Sequence, residues 1–197
     1  NFSMKPKKPI ILAITGASGA IYGLRTLEML KELEYPVHLI LSPMGGQILT
    51  QETGIDPDAL KQKAEQWYPP DDLSAPIASG SFPTQGMLVV PCSIKTLSGI
   101  ANSYTQNLIQ RAADVCLKEG RPLLLAVRET PFHAGHLRLM SQAADAGAVI
   151  FPPIPAFYHQ PKTIDDLVDA TIGRMLARIG ISNDFYISKY EVTQDEY

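Results

Sequence analysis

Two oppositely charged side chains follow directly on an apolar run in the second half of the chain. The segment reads LLLAVRETPFH, so Arg128 and Glu129 come at the end of a predicted strand over 123–127. An arginine there can clamp a phosphate or a ligand carbonyl, because its planar guanidinium donates parallel hydrogen bonds. A carboxylate beside it can act as a general acid or base. A structural ion pair with a neighbour is the alternative.

A glycine turn near the start of the chain predicts an anion site. The apolar run over 9–15 leads into Gly16-Ala17-Ser18-Gly19, and an amphipathic segment follows. Backbone amides at a helix N-terminus, together with a serine hydroxyl, can hold a phosphate. The glycine spacing differs from G-x-G-x-x-G, and no acidic residue follows the second strand to hold a ribose. The turn therefore favours a mononucleotide such as FMN, with an ordinary tight turn as the alternative.

Hydroxyl side chains follow a third apolar run, in the segment VVPCSIKTLSGIA. Ser93 and Thr96 open a predicted helix, where hydroxyls can hold a phosphate or the edge of a flavin. Ordinary N-capping by Ser93 is the alternative. Further along, Arg111, Lys118, Arg174 and Tyr158 can form an anion pocket at a subunit interface, although each cation alone is typical of a solvated surface.

The sequence indicates neither a metal site nor a reactive thiol. His133 and His136 are three residues apart after Glu129, but no cysteine cluster or second acidic cluster accompanies them, so no metal is predicted. Cys92 ends a strand without an activating base nearby in sequence, and we interpret it as a small buried apolar residue. Cys92 and Cys116, the two cysteines of the chain, form no CxxC pair.

The elements that must position these residues alternate along the chain, which predicts an α/β fold with a parallel sheet and helices on both faces. Strands are predicted over 9–15, 37–41, 87–90, 123–127 and 148–151, and helices over 18–33, 44–53, 57–67, 93–101, 105–118, 133–146 and 163–180. Residues 68–86 are rich in proline, glycine and serine, which predicts a loop or an edge segment. Ligands bind at the carboxyl ends of the strands in such sheets, which predicts candidate ligand regions at 15–19, 42–46, 91–96, 128–133 and 152–161.

Composition narrows the class of protein. The chain has 197 residues, 45% of them hydrophobic, and a net charge of −3. Such a chain can bury one core, and it has no basic stripe for nucleic acid and no apolar run long enough to span a membrane. We expect a cytoplasmic protein with one domain over 9–181, preceded by an extension over 1–8 and followed by a polar tail over 182–197.

The combined motifs resemble a known family. TGASGAIYG, PCSIKTLSGIA, NLIQRAADVCLKEGRPLLLAVRETPFH and GAVIFPPIPAFYHQP occur in the order found in the UbiX family of flavin prenyltransferases, including its Pad-type members. The resemblance covers about residues 9–181. It implies a Rossmann-like (flavodoxin-like) three-layer sandwich and a homododecamer. It also implies a metal-independent reaction, in which a dimethylallyl group from dimethylallyl monophosphate is joined to N5 and C6 of reduced FMN. The prenylated FMN would serve a UbiD-type decarboxylase.

The resemblance assigns roles to particular residues of this chain. It places residues from four strand ends around FMN. The first turn supplies Gly16, Ala17 and Ser18, and Ser42 follows the second strand. The ends of the third and fourth strands supply Ser93, Ile94, Lys95, Thr96 and Arg128. It places Lys118, Glu129, Tyr158 and Arg174 around the prenyl phosphate, with Arg111 as a helper. It ties Ser18 and Glu52 to the ring-closing steps, in which the freed phosphate, Glu52 or Glu129 could take the proton. The loop directly before the ASGS segment, DDLSAPI, contains no tryptophan, unlike in some members of the family.

Three other functions stay open from the sequence. A flavin-dependent cysteine decarboxylase would share the fold, but the segment GAIYGLRTLEML lacks the early histidine that such enzymes use as a base. A non-catalytic FMN carrier would not need Glu129, Lys118 and Arg174 together. A nicotinamide oxidoreductase is disfavoured by the missing acid after the second strand. The number of donor phosphates and the pathway served are not determined by the sequence.

Overall fold

Six short segments pair side by side in one parallel sheet. The computed structural model describes residues 4–183, and within them the strand order is β3-β2-β1-β4-β5-β6. The strands are β1 (Ile10–Ile14), β2 (Val37–Leu41), β3 (Gln66–Tyr68), β4 (Gly86–Cys92), β5 (Leu123–Val127) and β6 (Val149–Ile150). Every residue of β1, β4 and β5 is buried. Such continuous burial requires helices on both faces of the sheet, which explains why these strands do not alternate between apolar and polar residues.

Seven α-helices occur among the described residues, and the first six lie in the segments that join the strands. They are α1 (Ala20–Glu32), α2 (Pro43–Thr53), α3 (Pro57–Gln62), α4 (Ile94–Ala101), α5 (Leu108–Lys118), α6 (Ala134–Asp145) and α7 (Ile164–Arg178). All of them except α1 begin at a residue whose side chain accepts a hydrogen bond from the first turn. The predicted α/β fold with a parallel sheet is confirmed.

Helix α1 begins differently, at a glycine. Gly19 has φ of 101°, a left-handed conformation that favours glycine, and it supplies no side-chain cap. One turn later, a Cβ on Gly23 would lie 2.5 Å from the Val90 carbonyl oxygen and 2.8 Å from a side-chain atom of Ile14. The glycines of the first motif therefore serve the turn and the close approach of α1 to the sheet.

The prediction for residues 57–67 is wrong in its second half. Helix α3 ends at Gln62, and the next residues turn into edge strand β3. Trp67 pairs with Leu39 of β2 and Tyr68 pairs with Ile40. The Tyr68 hydroxyl also lies 2.9 Å from Nδ1 of His38. These tertiary contacts override the helical spacing of the segment, and its aromatic residues are typical of strands.

The chain divides into two compact units, residues 1–152 and residues 153–197. The first holds the sheet. The second holds α7, whose capping box joins the side chains of Thr163 and Asp166 to the backbone of the first turn, and the Asn183 side-chain amide donates to the Gly173 carbonyl (3.1 Å). The boundaries 1–8, 9–181 and 182–197 stay predictions, and most of the predicted tail lies outside the described residues. No helix in the described part of the chain is both long and apolar enough for a membrane span.

Candidate functional site

The carboxyl ends of β2, β1, β4 and β5 lie next to one another along one edge of the sheet. The strand order reverses between β1 and β4, and ligands of open α/β sheets bind at such a reversal. The buried hydroxyl of Thr15 bridges these two strand ends, because it donates to the Pro91 carbonyl (2.8 Å) and accepts from the Ser93 amide (2.9 Å). Sequence reasoning did not single out Thr15, since its partners are more than 70 residues away in sequence.

Glu52, near the end of α2, closes the glycine turn after β1. Ser18 Oγ donates to Glu52 Oε2 (2.6 Å), and the amides of Gly19 and Ala20 donate to Oε1 (2.9 and 3.0 Å). A carboxylate of the protein therefore caps α1, at the amides that the sequence suggested for a ligand anion. The structure thus brings Ser18 and Glu52 together, although they are 34 residues apart.

Arg128 at the end of β5 acts electrostatically on the same carboxylate. Burial acts to raise the pKa of Glu52. The hydrogen bonds from Ser18 and from the two amides act in the opposite direction, as does the positive charge of Arg128. Together they hold the pKa of Glu52 below its ordinary value, so Glu52 is a carboxylate at neutral pH. Glu129, the next residue along the chain, accepts from the Thr130 amide (3.1 Å) and is partly buried.

The candidate FMN residues after β2 and β4 open helices. Ser42 caps α2 by accepting from the Gly45 amide (3.0 Å). Ser93 caps α4 by accepting from the Thr96 amide (3.2 Å), and its hydroxyl donates to Thr96 Oγ1 (3.0 Å). The alternative role of Ser93, N-capping, is therefore present. The N-terminus of α4 at Ile94 and Lys95 lies beside the two hydrogen bonds by which Thr15 joins the ends of β1 and β4.

A cavity lies beside the end of β2 and was not predicted from the sequence. It has a volume of about 630 Å³ and is lined mainly by residues of α2 and α3, together with Ser42 and Pro70. Gly16 of the first turn packs near this region, since a Cβ there would lie 2.6 Å from Cβ of Met44. The glycine motif therefore also sets how closely α2 approaches the turn.

The cations of α5 already have protein partners. Arg111 Nε donates to the Ala78 carbonyl (3.1 Å), and a guanidinium nitrogen lies 3.8 Å from Asp114. Lys118 Nζ lies 2.5 Å from Glu119 Oε1 and is exposed. Arg111 is thus bound to the backbone of the preceding loop, and Lys118, which is bound to an exposed carboxylate, is the more exposed of the two cations.

Tyr158 and Arg174 lie in the second unit. The ring of His159 lies against Tyr158, with 3.9 Å between ring centroids. Burial lowers the pKa of His159, and the positive charge of Arg174 lowers it further. A cavity of about 220 Å³ within this unit is lined by His159, Lys162 and Asp166, among others.

The remaining histidines and cysteines have structural roles. His133 caps α6, since its Nδ1 accepts from the Gly135 and His136 amides (2.9 and 3.3 Å). No group of three metal-ligating side chains occurs between residues 4 and 183. Burial raises the pKa of Cys92 and of Cys116 to about 12, which agrees with the interpretation of Cys92 as a small buried apolar residue.

A doubly wound parallel sheet with hydroxyls, a carboxylate and a guanidinium at its strand reversal defines a nucleotide-binding α/β protein. The family model described as Flavoprotein matches residues 1–176. The flavin prenyltransferase UbiX of Salmonella typhimurium is 53% identical over 175 residues, which cover 88% of this chain and 93% of the relative. The chain belongs to the flavoprotein family and, within it, to the flavin prenyltransferase UbiX family.

Solved structures agree with this assignment. AnUbiX (PadA1), in a complex with FMN and dimethylallyl pyrophosphate, has a TM-score of 0.90 and 41% identity, and the match covers 95% of this chain and 98% of that one. A dodecameric FMN-dependent UbiX-like decarboxylase from Escherichia coli O157:H7 has a TM-score of 0.87 and 40% identity, covering 89% and 95% of the two chains.

Proposed function

We propose that this chain is a flavin prenyltransferase, which joins a dimethylallyl group to N5 and C6 of reduced FMN. The observation that carries the proposal is the near-complete structural match to a relative that binds FMN and a dimethylallyl phosphate ester. Relatives named flavin prenyltransferase at up to 53% identity support the same reaction. The product would be the prenylated FMN cofactor of a UbiD-type decarboxylase.

The residues at the carboxyl ends of the four neighbouring strands fit FMN. An FMN molecule presents a phosphate and ring carbonyls, which need hydrogen-bond donors and positive charge. The hydroxyls of Ser42, Ser93 and Thr96, the N-terminus of α4 and the guanidinium of Arg128 supply them. Gly16, Ala17 and Ser18 form the turn between β1 and α1 that would lie against the flavin, with Ile94 and Lys95 opposite in α4. Bound reduced FMN would supply the electron-rich ring that accepts the prenyl group.

Glu52 and Glu129 are the proposed proton acceptors. Glu52 is held ionised by Ser18, by two amides and by the charge of Arg128, so it can accept a proton without first losing one. Ser18 Oγ donates to it at 2.6 Å and can relay a proton to it. Glu129 directly follows Arg128 just after the end of β5 and is partly buried, which supports a position beside the proposed flavin site.

Lys118, Tyr158 and Arg174 are the proposed ligands of the donor phosphate, with Arg111 as a helper. Breaking the allylic carbon–oxygen bond leaves negative charge on the phosphate, which ammonium, guanidinium and phenol donors stabilise. We expect dimethylallyl monophosphate as the donor, since basic side chains rather than a metal would carry the charge. A homododecamer is supported by the dodecameric relative. A cytoplasmic location stays a prediction.

The decisive experiment is anaerobic. The protein is loaded with FMN, reduced, and mixed with either dimethylallyl monophosphate or the diphosphate, and the extracted flavin is weighed by mass spectrometry. A gain of one five-carbon prenyl unit supports the proposal, and the preferred ester identifies the donor. Unmodified FMN with both esters would refute it, and release of carbon dioxide from a peptidyl-cysteine substrate would then favour the cysteine decarboxylase.

Two variants test the assigned roles in the same assay. Glu129→Gln should keep FMN bound and suppress turnover, because the variant side chain cannot take a proton; full activity would contradict its role. Ser18→Leu should empty the flavin site, because the bulky side chain fills the turn. A Ser18→Leu protein that purifies yellow and loaded with FMN would count against the turn assignment.

A further inference from the structure

The loop over 78–82, ASGSF, is held by two guanidinium groups although it contains no strand. Arg121 donates to the Gly80 carbonyl (2.6 Å) and to the Phe82 carbonyl (2.9 Å), and Arg111 Nε donates to the Ala78 carbonyl (3.1 Å). Within the loop, the Phe82 amide donates to the Ser79 carbonyl (3.2 Å). Because a guanidinium donates in a rigid planar fork, these bonds fix the backbone position of residue 80.

Lys118 lies against this fixed position. A Cβ on Gly80 would lie 2.7 Å from Lys118 Nζ, and the Glu119 carboxylate would be in closer contact still. Both atoms are the ends of long, flexible side chains, and 46% of the Lys118 side chain and 39% of the Glu119 side chain are exposed. A side chain at position 80 would therefore displace the ammonium and its counter-ion without disturbing a packed core.

We propose that Gly80, fixed by Arg121, is a positioning residue that sets where the Lys118 ammonium meets the phosphate of the prenyl donor. This inference rests on the proposed function, in which Lys118 binds that phosphate. An ammonium acts on a phosphate as a point charge with short hydrogen bonds, so a displacement of an ångström or more weakens the contact. A side chain at position 80 would take the space that the ammonium and its counter-ion now occupy, so both would have to move.

Glu119 is the resting partner of Lys118. The hydrogen bond and the charge of Lys118 lower the pKa of Glu119, so the carboxylate is ionised and competes with any phosphate for the ammonium. The pair is exposed, and exposed ion pairs are weak enough for a dianionic phosphate to displace the carboxylate. Removing Glu119 should therefore help donor binding slightly, and it should also open the space that a side chain at position 80 needs.

The test compares donor binding and turnover in matched variants. Gly80→Ala should raise KM for dimethylallyl monophosphate by about three- to tenfold, which is a fraction of the effect of losing a charge-assisted hydrogen bond. The value of kcat and the affinity for FMN should not change. Gly46→Ala is the control, since a Cβ there meets only ordinary contacts at 3.4 Å or more. The double variant Gly80→Ala/Glu119→Ala should return KM towards the wild-type value, because the ammonium regains room.

Three results would overturn the inference. These are a wild-type KM in Gly80→Ala, a fall in kcat without a rise in KM, and a double variant no better than Gly80→Ala. Arg121→Lys is an independent variant, and it should raise the same KM because the two-carbonyl clamp is lost. Calorimetry of dimethylallyl monophosphate binding to the FMN-loaded proteins separates the two proposals. If the wild-type protein makes no prenylated flavin, the proposed function fails. The difference in donor affinity between wild type and Gly80→Ala still decides the role of Gly80.

Discussion

Replacement of Glu52 by alanine tests the internal cap of α1. Three hydrogen bonds from the first turn end on this one carboxylate, and Gly19 supplies no side-chain cap of its own. Glu52→Ala would leave these donors to water and would remove a negative charge from the positive end of the helix. The first turn of α1, rather than the sheet, should be the part of the protein that loosens.

The expected cost follows from these contacts. Loss of an N-cap costs about 1 kcal/mol, and loss of a favourable charge at a helix N-terminus costs about 0.3–1 kcal/mol. Because the carboxylate is exposed, water replaces part of each lost bond, and the full value of three charged hydrogen bonds does not apply. We therefore expect Glu52→Ala to lower the free energy of unfolding by about 1–2 kcal/mol, and Glu52→Gln, which keeps an acceptor for the amides, by about half as much.

Urea unfolding at several pH values measures this effect. Asp71→Ala, at an exposed carboxylate in the loop after β3, is the control and should change stability little. Because the folded-state pKa of Glu52 is lowered, its contribution is present above the ordinary carboxyl pKa of 4.5 and is lost as the pH falls below that value. The difference between wild type and Glu52→Ala should therefore shrink below about pH 4. Equal stability of the two proteins at neutral pH would refute the capping role.

Other measurements test other parts of the structure. Burial raises the pKa of Cys92 and of Cys116 to about 12, so neither thiol should react with a disulfide reagent near neutral pH until the protein is unfolded, when two equivalents should react. Burial lowers the pKa of His38, partly offset by Glu65, so wild type should lose stability as the pH falls below 6.5. His38→Gln should remove that part of the pH dependence, and an unchanged profile would contradict it. Thr163→Ala should cost about 1 kcal/mol in urea unfolding, because it opens the capping box of α7, and no loss would mean that the box is not stabilising.

The sequence predicted the elements with strong local patterns. The central strands were recognisable because continuous apolar runs of strand length are typical of parallel sheets, and the strand over 123–127 was predicted with its observed bounds. The start of α4 after Ser93 followed from a capping residue, whereas the cap of α2 at Ser42 was not predicted. Strand β3 was missed because three residues carry too little periodicity, and its pairing with β2 is a tertiary contact.

The candidate site was predictable only in part. That Arg128 and Ser18 stand at strand ends followed from the local sequence, but the contact of Ser18 with Glu52 joins distant segments and was suggested only by family resemblance. The commitment of Arg111 to a loop carbonyl was not predictable, since any exposed arginine on a helix looks alike in sequence. The roles of Lys118, Tyr158 and Arg174 stay predictions until the donor is shown to bind.

The Thr15 bridge has a consequence for the thermodynamics of ligand binding. The hydroxyl ties the ends of β1 and β4 together by two hydrogen bonds within the protein itself. The floor of the crevice is thus ordered by folding rather than by the ligand, and binding incurs no entropy cost for arranging these strands. The heat-capacity change on flavin binding should then reflect only the apolar surface buried against the ring, and it should be smaller than the heat-capacity change of a protein that folds as it binds.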